Sequence, residues 1–209
     1  MTESVPEPAR GCRAANKGTS ELGKIACLPW LFLANIIREG DHVVDATAGN
    51  GRDTLALARL VGAQGRVEAF DIQEDALAKA RELAEVNHVE ERIRFWLRDH
   101  AELAQVVAPG IRAAVFNLGY LPGGDHRVTT RALTTLSAVQ GAMGLLCSGG
   151  AVIVTVYRGH PGGAAEGRCL EEFLREVSPQ EYTIMAGNYL NHEETAPYWV
   201  IIQAKGRLL

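Results

Sequence analysis

The stretch that most constrains this chain is Val43-Val44-Asp45-Ala46-Thr47-Ala48-Gly49-Asn50-Gly51-Arg52-Asp53-Thr54. It reads as a short apolar strand, a loop of small residues, and the start of a helix at Leu55-Ala56-Leu57-Ala58. Gly49 and Gly51 let the backbone take positive φ and let a ligand approach the main chain closely. The helix that follows turns its unpaired N–H groups toward whatever sits at the loop. Twenty residues after Gly51, Asp71 ends a second strand, Val67-Glu68-Ala69-Phe70-Asp71. That spacing suits a carboxylate that meets the two hydroxyls of a bound ribose. A nucleoside-containing cofactor follows from the combination, against the plainer reading of a tight turn with a charged strand end.

A dinucleotide fingerprint needs a third small residue at the far end of the loop. Here Gly51 is followed by Arg-Asp-Thr, and the next glycine is Gly62. S-adenosylmethionine has no pyrophosphate to cradle, so two glycines suffice, and Asp45 is expected to face the cationic amino group of its methionine part. Asp45-x-x-x-Gly49-x-Gly51 resembles the first motif of the class I methyltransferases.

Strand and helix patterns alternate from there on, which predicts an α/β fold with a doubly wound, mostly parallel Rossmann-like sheet. Helices are expected over residues 21–38, from 55, and over 74–87, 129–147 and 164–177, with a short one ending near Val107. Strands are expected over 43–45, 67–71, 92–97, 111–117, 151–157, 181–188 and 198–204, seven in all. Ile93, Phe95 and Leu97 should share one side of their strand. The run Ile111–Asn117 is almost wholly apolar and therefore central. The last two strands are joined too briefly for a crossover helix, so an antiparallel strand is expected at the C-terminal end.

Residues 1–20 read as a flexible arm, and 21–209 as one methyltransferase domain, a size within the usual range of about 50–250 residues. A hydrophobic fraction of 47% is ample for one core. No apolar run approaches the roughly 18 residues of a membrane span, and the glutamate-bearing N-terminus has no apolar signal region. Cys12, Cys27, Cys147 and Cys169 form no Cys-x-x-Cys pair, so neither zinc nor a disulfide framework is expected, and the default location is the cytoplasm. The six histidines show no metal-ligand spacing. A net charge of −4 argues against general nucleic-acid coating. The only lysines are Lys17, Lys24, Lys79 and Lys205, so arginine must supply most contacts to phosphates.

Asn117-Leu118-Gly119-Tyr120 lies where amino-group methyltransferases carry Asp/Asn-Pro-Pro-Tyr/Phe. In that motif an amide oxygen and a backbone carbonyl accept hydrogens from the attacking nitrogen, and the aromatic ring stacks on the base that bears it. Positioning of this kind supplies much of the rate. Here Leu-Gly replaces Pro-Pro, and Tyr120 has ordinary packing as its plainer role. The nearest cysteine in sequence, Cys147, lies at the far end of a helix, and no lysine occurs between Lys79 and Lys205. Nitrogen is therefore the favoured acceptor over a ring carbon or a ribose hydroxyl.

The runs Asp45–Thr54, Phe70-Asp71-Ile72-Gln73, Phe116–Asp125 and Tyr157-Arg158-Gly159-His160 together resemble the MnmM/YtqB family, long labelled rRNA methylases and including a tRNA wobble-uridine methyltransferase. The most specific part is Asn-Leu-Gly-Tyr-Leu-Pro-Gly-Gly-Asp, residues 117–125, and the similarity spans about residues 22–205. What the resemblance implies is methylation of the primary amine of 5-aminomethyl-2-thiouridine in tRNA, with S-adenosylmethionine as cofactor. The implied cofactor set is Asp45, Thr47, Gly49, Asn50, Gly51, Asp53, Thr54, Asp71, Ile72, Gln73, Asp99, His100 and Asn117. Asp99 would take the adenine amino group, or cap the helix that begins at Ala101.

The implied catalytic set is Asn117, Tyr120, Asp125 and His126. Substrate is assigned to Gly119, Tyr120, Gly123, Gly124, Arg127, Arg158 and His160. Asp125 reads as a proton acceptor, a partner of His126, or a turn residue. His126 and His160 divide between a site role and a loop hydrogen bond. Arg127, Arg131 and Arg158 divide between RNA phosphates and solvated surface. Other acceptors remain open, namely another RNA or a small amine, as does a dinucleotide-binding oxidoreductase. The oligomeric state is not readable from these features, a homodimer being among the options.

Overall fold

The computed structural model describes residues 25, 27–121, 123 and 127–206. The proposed arm at residues 1–20 lies outside them. Seven strands form one sheet in the order β3-β2-β1-β4-β5-β7-β6. In chain order the elements are α1 (Cys27–Ile36), β1 (His42–Asp45), α2 (Arg52–Leu60), β2 (Arg66–Asp71), α3 (Glu74–Val86), β3 (Ile93–Leu97) and the short α4 (Leu103–Val106). Then follow β4 (Ile111–Leu118), α5 (Ala132–Leu145), β5 (Leu146–Val156), α6 (Gly163–Arg175), β6 (Tyr182–Gly187) and β7 (Tyr198–Ala204). The first five strands are parallel neighbours, while β7 runs antiparallel to both β5 and β6. β4 occupies the centre, as its unbroken apolar run requires when helices cover both faces.

Alternation along the strands sorts the core into two layers. Val43, Ala113, Val115, Ala151 and Ile153 face Leu33, Leu57 and Ala84, the layer under α1, α2 and α3. Val44, Ala114, Phe116, Val152 and Val154 face Leu103, Val139 and Leu170, the layer under α4, α5 and α6. Each large side chain buried in this way contributes about 1.5–3 kcal/mol. Leu97 does not join Ile93 and Phe95, being 54% exposed at the end of an edge strand.

Two boundaries differ from the sequence pattern for reasons visible in the backbone. α5 starts at Ala132 rather than Thr129, because Thr129 bridges to Tyr120 and the Thr130 amide donates to Gly119 O. β5 starts at Leu146, five residues early, because Leu146 pairs with Ile111 before a bulge that contains Gly149 at φ +73°.

The carboxyl ends of β1 to β4 lie side by side, so the loops that follow them converge. Gly51 sets how closely they do so. Its φ is +80°, and a Cβ there would lie 2.7 Å from the Ala80 Cα on α3. Only glycine lets α2 begin this close to α3.

Candidate active site

The convergent loops enclose a cleft of about 420 Å³. Its walls come from Thr47 and Gly49 after β1, Asp71, Ile72 and Gln73 after β2, Asp99 and His100 after β3, and Asn117, Gly119 and Tyr120 after β4. Arg127 stands at the same cleft. Sequence reasoning placed all of these at the site.

Asp71 is the organising carboxylate of the first wall. Its Oδ2 accepts from the Gly49 amide at 2.9 Å and its Oδ1 from the Gln73 amide at 2.9 Å. Ile72 beside it is 53% exposed, an apolar plate on a polar wall. On the third loop, Asp99 accepts from the Ala101 amide at 2.8 Å and so has its capping role, while also facing the cleft. His100 is buried, with its ring edge-on to Phe116. Burial is the main cause that pushes its pKa down, which keeps the ring neutral. With Nδ1 3.2 Å from the Ala46 carbonyl, that nitrogen carries the proton, and buried Nε2 is an acceptor with no hydrogen-bond partner among the described residues.

Asp45 departs from expectation. It has no exposed surface and is not on the cleft wall, so it does not face a ligand amine. Its Oδ2 accepts from the Thr54 hydroxyl at 2.6 Å and its Oδ1 from the Thr47 amide at 3.2 Å, which fastens the loop to α2 from below. Burial, then the neighbouring charge of Asp53, raises its pKa to about 7. Asp53 is also pushed up, chiefly by burial, while a 2.7 Å hydrogen bond from Asn117 Nδ2 opposes the rise. Asn50, Gly51, Asp53 and Thr54 likewise shape the loop rather than line the cleft. Asp45, Asp53 and Asp71 nonetheless lie close enough to form an acidic floor, in which the charges of Asp53 and Asp71 help to raise the pKa of Asp45. Such a floor complements a cation.

The loop after β4 is tied on both sides. The Asn117 amide donates to Thr47 Oγ1 at 2.7 Å, and its side-chain Nδ2 to Asp53, so the carboxylate dictates which end of the amide is oxygen. The Gly119 amide donates to Thr130 Oγ1, and the Thr130 amide returns a bond to Gly119 O, each at 2.9 Å. Tyr120 stays 41% exposed at the cleft, its ring edge-on to His160.

Three residues assigned to substrate, Arg158, His160 and Gly123, lie off the cleft wall. Arg158 donates through Nε and Nη2 to the Ala196 carbonyl and lies over the Tyr198 ring, so its guanidinium pins the connection between β6 and β7. His160 is buried behind Gly119 and off the cleft wall, with Nδ1 3.1 Å from the Pro161 carbonyl. Gly123 is exposed and does not line the cleft. Gly124, Asp125 and His126 lie outside the described residues. Conversely, Arg98, Leu121, Val128, Thr129, Thr130 and Thr134 line the cleft without having been assigned to it, and Arg131, weighed only as an RNA contact, joins them. The one sequence signal for most of them is the run Val128-Thr-Thr-Arg directly after the glycine-rich loop.

Among the described residues, no group of three or more His, Cys, Asp or Glu side chains could hold a metal ion, and no helix is long and apolar enough to cross a membrane.

Residues 67–203 match the family model described as "Putative rRNA methylase". The chain belongs to that family. It is 37% identical over 166 residues to the chloroplastic tRNA (mnm(5)s(2)U34)-methyltransferase of Arabidopsis thaliana, covering 75% of this chain and 60% of the plant protein. A crystal structure of a putative rRNA-methylase from Clostridium thermocellum aligns with a TM-score of 0.81 at 37% identity, over 83% of this chain and 93% of that one. The structure of a putative methyltransferase from Streptococcus mutans in complex with SAH aligns with a TM-score of 0.79 at 36% identity, over 87% and 98%. Family and fold are those of the class I S-adenosylmethionine-dependent methyltransferases.

Proposed function

We propose that this protein transfers a methyl group from S-adenosylmethionine to the primary amine of 5-aminomethyl-2-thiouridine at the wobble position of tRNA. The observation that carries the reading is the junction of two sites in one cleft, where the acidic cofactor loop and the Asn117–Tyr120 loop share the Thr47–Asn117 and Asp53–Asn117 hydrogen bonds. The name of the plant relative supports the acceptor.

The residues fit the cofactor. Asp71, between two backbone amides, suits ribose hydroxyls, Ile72 suits the adenine face, and the acidic floor suits a net positive ligand. When bound, S-adenosylmethionine supplies an electrophilic methyl group on a sulfonium sulfur. The rest of the task falls to the chain's own groups. Asn117 accepts a hydrogen of the neutral amine through its side-chain oxygen, because its nitrogen is committed to Asp53. That contact turns the nitrogen lone pair toward the methyl group. The exposed Tyr120 ring stacks on the uracil. Arg127 and Arg131 at the cleft meet backbone phosphates.

The test is transfer of labelled methyl to tRNA from cells that make the aminomethyl precursor, with tRNA lacking that group as control. Only the first should be labelled. Asn117→Ala should lower kcat far more than it lowers cofactor affinity, as an interaction used at the transition state requires. Tyr120→Phe should keep much of the activity and Tyr120→Ala should not. Equal labelling of both tRNAs refutes the wobble-amine acceptor.

A further inference from the structure

Gly119 has φ +147°, a backbone state that only glycine takes easily, and the described residues from 119 to 130 form no helix or named strand. The backbone at Gly119 is held by its hydrogen bonds to Thr130. The Gly119 amide donates to the Thr130 hydroxyl oxygen. A hydroxyl has one hydrogen, and that of Thr130 is donated onward to Glu166 Oε2 at 2.8 Å. The other carboxylate oxygen, Oε1, accepts a short hydrogen bond from Thr135 on α5. Glu166 itself is only 2% exposed, in the first turn of α6, where the helix dipole favours a negative group. One buried side chain thus joins α6, α5 and the loop that carries Tyr120.

We infer that Glu166 is a positioning residue for the acceptor loop, acting through Thr130 on Gly119. The inference rests on the proposed role of residues 117–120 in presenting the acceptor. The peptide between Leu118 and Gly119 is planar and trans, so fixing the Gly119 amide also fixes the direction of the Leu118 carbonyl on the opposite edge of the same plane. A motif with prolines at these two places has stiffness built into its rings. Here a chain of hydrogen bonds, amide to hydroxyl to carboxylate, supplies it, each bond polarising the next. The carboxylate works only as a double acceptor, since both threonine hydroxyls donate to it. Glutamine in its place offers one oxygen and a nitrogen that cannot accept.

The experiment compares Glu166→Gln, Thr130→Val, Thr130→Ser and the double variant Glu166→Gln/Thr130→Val in the full chain. For each, SAH affinity is measured by calorimetry, transfer to aminomethyl-bearing tRNA in single turnover, and hydrogen exchange at Gly119. Glu166→Gln and Thr130→Val should each slow transfer about tenfold, the size expected for losing a hydrogen bond to a charged group, with SAH affinity near wild type and the protein still folded at the assay temperature. Both should speed exchange at Gly119. Thr130→Ser, which keeps the hydroxyl, should recover most of the rate lost in Thr130→Val. The double variant should be no slower than the slower single, because both remove the same link. The inference is overturned by a Thr130→Val protein that binds SAH and transfers at the wild-type rate, or by losses that multiply. Should wild type label no amine-bearing tRNA, the acceptor assignment falls by itself. Exchange then decides the clamp, unchanged protection of Gly119 in Glu166→Gln overturning it.

Discussion

Asp45→Asn tests the strangest group in the cofactor loop, a carboxyl with no exposed surface directly under the ligand-facing backbone. Burial is the main cause that lifts its pKa from 3.8 to about 7. A carboxyl that holds its proton more tightly when folded makes stability fall as pH rises from the unfolded value through the folded one. At about 1.4 kcal/mol per unit the full effect is about 4 kcal/mol, of which roughly 2 kcal/mol falls between pH 5.5 and 7.5. Asparagine keeps the shape and cannot ionise, so its stability curve should be flatter by that amount over this interval. A constant offset is expected as well, because the amide replaces one of two acceptors that now serve Thr54 and Thr47. Urea unfolding of both proteins at half-unit pH steps isolates the slope from the offset. Parallel curves between pH 5.5 and 7.5 would refute the argument, and would mean that Asp45 ionises freely in the folded protein.

Gly51→Ala should destabilise the fold by about 2–5 kcal/mol, adding the cost of a left-handed non-glycine residue to that of overpacking against the α3 backbone; the urea midpoint measures it, and a shift near zero would show that α3 yields freely. Asp71→Asn should weaken SAH binding about tenfold, the loss expected when a charged hydrogen-bond acceptor becomes neutral, in a protein that still folds though somewhat less stably, since one of the Gly49 and Gln73 amides loses its acceptor. Calorimetric titration checks this, and unchanged affinity would move the ribose contact elsewhere.

Much of the sheet was legible because β1, β2, β4 and β5 are buried on both faces and α2, α3 and α6 each have one apolar stripe, so the period of the pattern announces the element. The loops after β1, β2 and β4 were legible for a similar reason, since glycine and carboxylate at fixed offsets have few other uses. What was not legible depends on distant partners. Asp45 reads as a ligand contact until Thr54 is seen closing over it from the first turn of α2. Arg158 reads as a phosphate contact until Ala196, 38 residues away, takes its guanidinium. Glu166 sits between Ala165 and Gly167 in what looks like an ordinary helix turn. Nothing in its neighbourhood along the chain shows that the α5 threonine and the loop threonine meet there. Leu97 shows the converse error, a strand alternation continued one residue beyond the point where the edge strand has a layer to pack against.

The place of β7 between β5 and β6 has a consequence for how the protein is made. β5 ends at Val156 and β7 begins at Tyr198, so translation at about 5–20 residues per second separates them by roughly two to eight seconds. Throughout that interval the β5 edge that will take residues 198–203 lacks β7, and β6, whose one neighbour among the described strands is β7, has nowhere to pair. An apolar strand with an open edge is a template for another chain. On a crowded polysome the nascent protein is therefore most exposed to mispairing between the emergence of Val156 and that of Tyr198. Substitutions that slow the pairing of 198–204 should lower soluble yield more than they lower the stability of the finished fold.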